Sequence, residues 1–272
     1  MNKTKKILII LAEVLLIAVI AIISFCVIKQ IFLEKSQDNV FKELENIIIF
    51  NDNISFENIE DTENVEEIDE IEKPEHIEKD DTVQNINLQS LYNINSDIVG
   101  WIKIDGTNIN YPVMQNEEYY LNKDFYKNDS TYGTPFLASY CNIKTSDNLI
   151  IYGHHMKNHK MFSDLENYTN KAYYSTHELI EFYTLENGQT IQNKYEIIFA
   201  FKTVAYSDEG FKYHTFYKAS DEEEFNSFIS KCKELELYNT GKTAEYGNKL
   251  ITLSTCEYSQ TNGRMVVVAK KI

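Results

Sequence analysis

A mainly β domain carried on a single membrane-spanning helix is the architecture this sequence predicts. Three observations carry it. Ile7 to Ile28 is an apolar run broken only by Glu13 and Ser24. Beyond residue 85, short alternating segments recur between turn residues, the pattern of a β-barrel or sandwich. Between them only one substantial stretch, 220–237, has helical periodicity.

The N-terminal run comes first. As a helix it extends roughly 33 Å, enough to cross a hydrocarbon core of about 30 Å. A cleaved signal peptide would want a shorter core and a small-x-small cleavage site; here Phe25, Val27 and Ile28 lead straight into Lys29. The run therefore reads as an uncleaved anchor over residues 1–30. Lys3, Lys5 and Lys6 precede it and predict a cytoplasmic N-terminus with the remainder outside. Glu13 lies near the cytoplasmic end, where a carboxylate reaches the interface.

Residues 31–84 are predicted to form an amphipathic helix and an acidic stalk. Phe32, Val40, Phe41, Leu44 and Ile47 to Phe50 supply the apolar positions of the helix. From Glu57 to Asp81 there are 13 acidic residues and two lysines, a like-charge run that repels itself and extends.

Residues 85–272 make one domain by size. Ile86 to Ile94 fits a short helix. Trp101 to Ile104 and Asn108 to Met114 alternate around Asp105-Gly106, a hairpin signature. Further strands are predicted at Pro135–Tyr140, Leu149–Tyr152, Leu179–Leu185, Tyr195–Val204, Leu250–Thr255 and Arg264–Lys270. Ser220 and Glu223 read as a capping box, followed by Phe225, Phe228, Ile229, Cys232 and Leu235 at helical spacing.

Composition narrows the function. The net charge of −16 excludes a basic nucleic-acid footprint, and four cysteines are too few for a disulfide scaffold. Cys26 falls in the apolar run and Cys232 on a buried helical stripe, while Cys141 has no evident partner. Cys256 differs, because it ends the apolar strand Leu250 to Thr255, where a side chain projects from a rigid frame. Of 26 basic residues only Arg264 is arginine, and it stands eight positions after Cys256 across the turn at Asn262-Gly263. Its planar, permanently charged fork is what lysine cannot supply. Thiolate chemistry with an amine leaving group also needs an acid, and Tyr152-Gly153-His154-His155-Met156 ends a predicted strand. His155 and His159 have i, i+4 spacing, but the glutamate of a zinc-protease motif is missing and neither metal nor cofactor is expected. His177 and His214 read as ordinary loop residues.

The T-L-S-T-C strand ending at Cys256, Arg264 downstream and Y-G-H-H-M at 152–156 resemble the sortases, cysteine transpeptidases of the Gram-positive cell surface. G-W-I-K-I-D-G-T-N-I-N-Y-P-V-M-Q from Gly100, M-F-S-D-L from Met161 and the inserted helix at 220–237 are similar to class B. The resemblance implies a sortase-type eight-stranded β-barrel with N-terminal helices and one inserted helix. It implies cleavage of a C-terminal sorting signal after threonine in secreted proteins, then transfer to an amine of the cell wall or a pilin. By the same resemblance Cys256 is the nucleophile, His154 the acid and base and Arg264 the oxyanion holder, with Tyr152, Ser254, Glu257 and Leu121 lining the substrate groove. A papain-like protease would place its cysteine before its histidine, and an L,D-transpeptidase would keep its arginine two residues from its cysteine. A non-enzymatic surface adhesin would explain anchor and β-domain but would need none of the three residues.

Overall fold

A computed structural model describes residues 3–50, 86–205 and 210–272. The acidic run at 57–81 lies outside the described residues. Eight strands close a mixed barrel: β1 (Ile98–Lys103), β2 (Asn110–Met114), β3 (Phe136–Leu137), β4 (Asn148–Tyr152), β5 (Leu179–Glu186), β6 (Gln189–Val204), β7 (Leu250–Glu257) and β8 (Gly263–Lys271). Around the barrel they run β1-β2-β3-β4-β7-β8-β6-β5, and β5 returns to β1. Two pairs are parallel, β2–β3 and β4–β7; the latter joins Asn148–Tyr152 to Leu250–Ser254 and brings together segments about a hundred residues apart.

The hairpin β1–β2 forms as its alternation predicts, with Trp101 opposite Pro112 and Ile102 opposite Tyr111. Gly106 in its turn has φ +76°, a conformation a side chain resists. Of the segment predicted at Pro135–Tyr140, only Phe136 and Leu137 are strand, flanked by bonds from Met114 N to Pro135 O and from Ala138 N to Ile150 O. One core cluster gathers Ile102, Val113, Ile150, Phe182, Leu253 and Val267, all buried without exposure. Burying such side chains is the largest favourable contribution to the fold, about 1.5–3 kcal/mol each.

Among the described residues, four helices accompany the sheet: α1 (Lys3–Phe50), α2 (Leu88–Ile94), α3 (Lys171–Tyr174) and α4 (Glu222–Leu235). α4 covers one face through Phe225, Phe228, Ile229 and Cys232. Its cap lies one residue beyond the predicted one. Asp221, not Ser220, is the N-cap, accepting from Glu224 N at 2.9 Å, and Glu224 reaches back to Ser220 N at 2.8 Å. An aspartate at this position outcompetes the preceding serine, because its carboxylate both accepts the bond and meets the positive helix end.

α1 has two characters. Leu15, Ile17, Ile22 and Phe25 are exposed on a helix long and apolar enough to cross a membrane. Further on, Gln37, Phe41, Leu44 and Ile48 are buried, a spacing of four, three and four that marks one helix face. Phe41 packs edge-on against Tyr111 with centroids 4.9 Å apart. Gln37 accepts from Ser130 Oγ at 2.7 Å, and Glu45 accepts from Asn110 Nδ2 at 3.0 Å. Ile48 O accepts from Asn87 N at 3.1 Å, which joins α1 to the start of α2. This part of the chain, expected as an amphipathic helix, is seated on the barrel by its apolar face.

Candidate active site

β7 is buried along its whole length except at Cys256, which is half-exposed. Of the other described thiols, the two in the barrel domain are buried and poor nucleophiles. Burial pushes Cys141 up to about 11 and Cys232 well above its ordinary value, and Cys26 sits on the exposed apolar part of α1. Cys141 and Cys232 are both free and lie in different core clusters, so no disulfide joins them.

The β7–β8 register sets Cys256 directly opposite Arg264. Directly paired residues of an antiparallel ladder have adjacent side chains on one face. Glu257 faces Gly263, and a Cβ on that glycine would stand 2.5 Å from Glu257 O, so the tight end of the hairpin needs the small residue.

His154 arrives from β4, whose parallel pairing with β7 carries it to the same end of the barrel. Gly153 between them is explained by close approach. A Cβ there would lie 2.6 Å from the Phe162 ring, and its φ is outside the left-handed region, so close packing and not a turn requires the glycine. His154 Nε2 lies 2.8 Å from Leu121 O; a carbonyl only accepts, so the ring donates from Nε2.

Cys256, His154 and Arg264 line one cleft of about 740 Å³. Of the four residues expected in the groove, Tyr152, Leu121 and Ser254 are in its wall. Ser254 exposes little, because its hydroxyl is engaged with Tyr213 OH at 2.6 Å. The Tyr152 phenol meets that of Tyr140 at 3.2 Å, and burial with this bond pushes its pKa well above the phenol range.

Glu257 corrects the expectation. It is turned away from the cleft, bonded to Lys202 Nζ at 3.0 Å and to Ser259 N at 2.8 Å. Lys202 also holds Glu166 at 2.8 Å, so the three tie β6, β7 and the 3-10 turn Ser163–Thr169 together. Burial opposes ionisation of Glu257, but the Ser259 and Lys202 bonds outweigh it and its pKa is lowered. Strand alternation gives the reason: a residue adjacent to Cys256 points to the other face.

His214 is the residue that sequence reasoning missed. It belongs to the 3-10 turn Tyr213–Thr215, stands in the cleft wall with Arg264, and is half-buried. Burial, then the positive charges of Lys212 and Arg264, lower its pKa. No motif marks it, because a segment remote in sequence supplies it. His155 and His159, weighed as an i, i+4 pair, sit on an irregular loop in which His159 has φ +62°, so that spacing puts them on no common helix face.

A half-exposed thiol at a strand end, faced by arginine and sharing a cleft with histidine, is the equipment of a cysteine transpeptidase on a β-barrel. A sortase domain is matched over residues 102–272. Sortase B of Staphylococcus aureus is 35% identical over 197 residues, covering 68% of this chain and 74% of that protein. Among solved structures, a S. aureus sortase B–substrate complex superposes with a TM-score of 0.60 at 35% identity, over 68% of this chain and 84% of that one. A sortase B complexed with triglycine gives 0.60 at 34% identity, over 68% and 85%. The chain belongs to the sortase family, and within it to class B.

Proposed function

We propose that this sortase cleaves a C-terminal sorting signal after a threonine and transfers the new acyl group to an amine of the cell wall or of a pilin. The observation that carries the reading is the pairing of Cys256 with Arg264 across β7 and β8 in a cleft that also holds His154. The S. aureus sortase B seen with substrate and the sortase B seen with triglycine support a peptide donor and an amine acceptor.

In this reading Cys256 Sγ, its thiol proton passed to His154, attacks the threonine carbonyl carbon and the C–N bond after threonine breaks. His154 gives a proton to the departing amine, leaving a thioester on Cys256. The incoming amine attacks that carbonyl, His154 takes its proton back, the C–S bond breaks and a new amide forms. Arg264 donates to the oxyanion of both tetrahedral intermediates, the charge that develops in the transition states. Tyr152, Leu121 and Ser254 shape the groove. No cofactor or metal enters any step.

The N-terminal part of α1 anchors the enzyme in the cell membrane as a single pass. Lys3, Lys5 and Lys6 hold the N-terminus in the cytoplasm, and the barrel faces outward, where secreted substrates emerge. The organisation is an anchor at 1–30, a connecting region at 31–84 and a catalytic domain at 85–272. Cleavage of a quenched sorting-motif peptide by the full-length chain in detergent tests the reading. Cys256→Ala abolishes the signal, and undiminished cleavage by that variant would refute it.

A further inference from the structure

His155 follows the candidate acid and base directly, yet its ring goes elsewhere. His155 Nδ1 lies 2.9 Å from the backbone carbonyl of Cys256. That carbonyl can only accept, so Nδ1 carries the proton and donates. The ring also packs on Tyr258 with centroids 5.1 Å apart, and Tyr258 OH donates to His155 O at 3.1 Å. Two bonds and a ring contact thus join the loop after β4 to the end of β7 and the turn beyond it.

The position of this bond in the sheet is informative. β4 and β7 are parallel, and past the last pair, Tyr152 with Ser254, Gly153 N donates to Ser254 O at 3.2 Å. Successive rungs of a parallel ladder advance two residues on each strand. The next would join residue 155 to Cys256 O. The His155 imidazole supplies that rung after the backbone of β4 has left the sheet. Thr255 Oγ1 adds a second side-chain link, donating to Gly153 O at 2.7 Å. The loop is closed behind His154 as well, by Phe162 N donating to His154 O at 2.9 Å and by the bridge between His155 and Met161. His154 and His155 share one peptide unit, so fixing the His155 ring on Cys256 O restrains the backbone from which His154 enters the cleft.

We infer that His155, clasped to Tyr258, is a positioning residue: its Nδ1–H holds the His154 loop at the distance from Cys256 that proton transfer requires. It is not among the residues that line the cleft, so its loss acts on kcat and leaves KM unchanged. The inference rests on the transpeptidase reading above.

The test uses the full-length chain in detergent and a sorting-motif peptide, with Cys256→Ala beside the His155 variants. Asparagine places an amide N–H near the Nδ1 position; phenylalanine keeps the ring and removes the donor. The expected result is a fall in kcat of up to about tenfold for His155→Phe and His155→Ala, the size of one lost hydrogen bond. KM stays within about twofold and His155→Asn regains most of the rate. Tyr258→Phe, which deletes only one hydroxyl, gives a smaller loss in the same parameter and reports on the clasp if a His155 variant does not fold. Thermal melting of each variant separates the effect from general destabilisation. Full kcat in His155→Phe, losses that follow the melting temperatures, or His155→Asn no better than His155→Ala would overturn the inference. Activity surviving in Cys256→Ala would instead overturn the underlying reading, so the two failures are distinct.

Discussion

Cys256, Arg264 and His154 come from three strand ends, and each has a separate chemical duty in the proposed reaction. Replacing His154 with alanine removes the proton carrier and lowers kcat by about 10²- to 10⁴-fold. Arg264→Lys keeps a positive charge but loses the planar fork, and an oxyanion donor is worth about 10²- to 10³-fold. Steady-state peptide cleavage reads both, and a fully active Arg264→Lys enzyme would remove the oxyanion assignment. Glu257 makes a different prediction. Its lowered pKa in the fold means that the unfolded chain binds the proton more readily. Its contribution to stability is present above the unfolded glutamate pKa, about 4.3, and is lost as pH falls through the folded value. Melting temperatures from pH 7 to pH 3 should show Glu257→Gln less stable than the parent at neutral pH, with the gap closing on acidification. A gap independent of pH would argue against an ionised Glu257. The motif picked out the three residues that the structure brings to one cleft, and for Cys256 and Arg264 the strand end, turn and register are local. Glu257 was misplaced because a matching motif position outweighed the alternation of the strand that holds it, and His214 left no local signal.

At the scale of elements, strands and helices were legible wherever their periodicity ran for a full turn or more. β3 shrank to two residues because pairing partners, not composition, end a strand. The seating of α1 was half legible. The apolar spacing over Phe41, Leu44 and Ile48 could be read, but the surface it covers, including Tyr111 on β2, could not. A fragment beginning at residue 85 exposes that surface, whereas one beginning at residue 31 retains the cover. Three buried apolar side chains at about 1.5–3 kcal/mol each predict that the shorter fragment melts about 10–35 °C lower. Scanning calorimetry of the two fragments checks this, and equal melting temperatures would mean that the helix contributes nothing to the fold.

Over the whole molecule, the closing order of the barrel was the least legible feature. β4 and β7 pair in parallel across about a hundred residues, with β5, β6 and α4 between them, and no local pattern encodes a contact of that span. Yet this pairing brings His154 to Cys256, so the site exists only once the barrel closes. The charge was legible as a distribution. Thirteen of the 42 acidic residues lie between Glu57 and Asp81, apart from the cleft in sequence. Replacing those acids with their amides should leave peptide turnover by the full-length enzyme unchanged in physiological salt, where screening acts over about 8 Å. A large loss of turnover would mean that this run contacts the catalytic domain. The central claim is that Cys256 carries the acyl group between donor and acceptor, and intact mass spectrometry of the full-length chain tests it most directly. Incubation with a pool of peptides containing a threonine before the scissile bond, without added amine, should leave a mass adduct on Cys256. Triglycine should discharge it, and Cys256→Ala should never form it. Peptide cleavage with no adduct, or an adduct that persists in Cys256→Ala, would contradict the account.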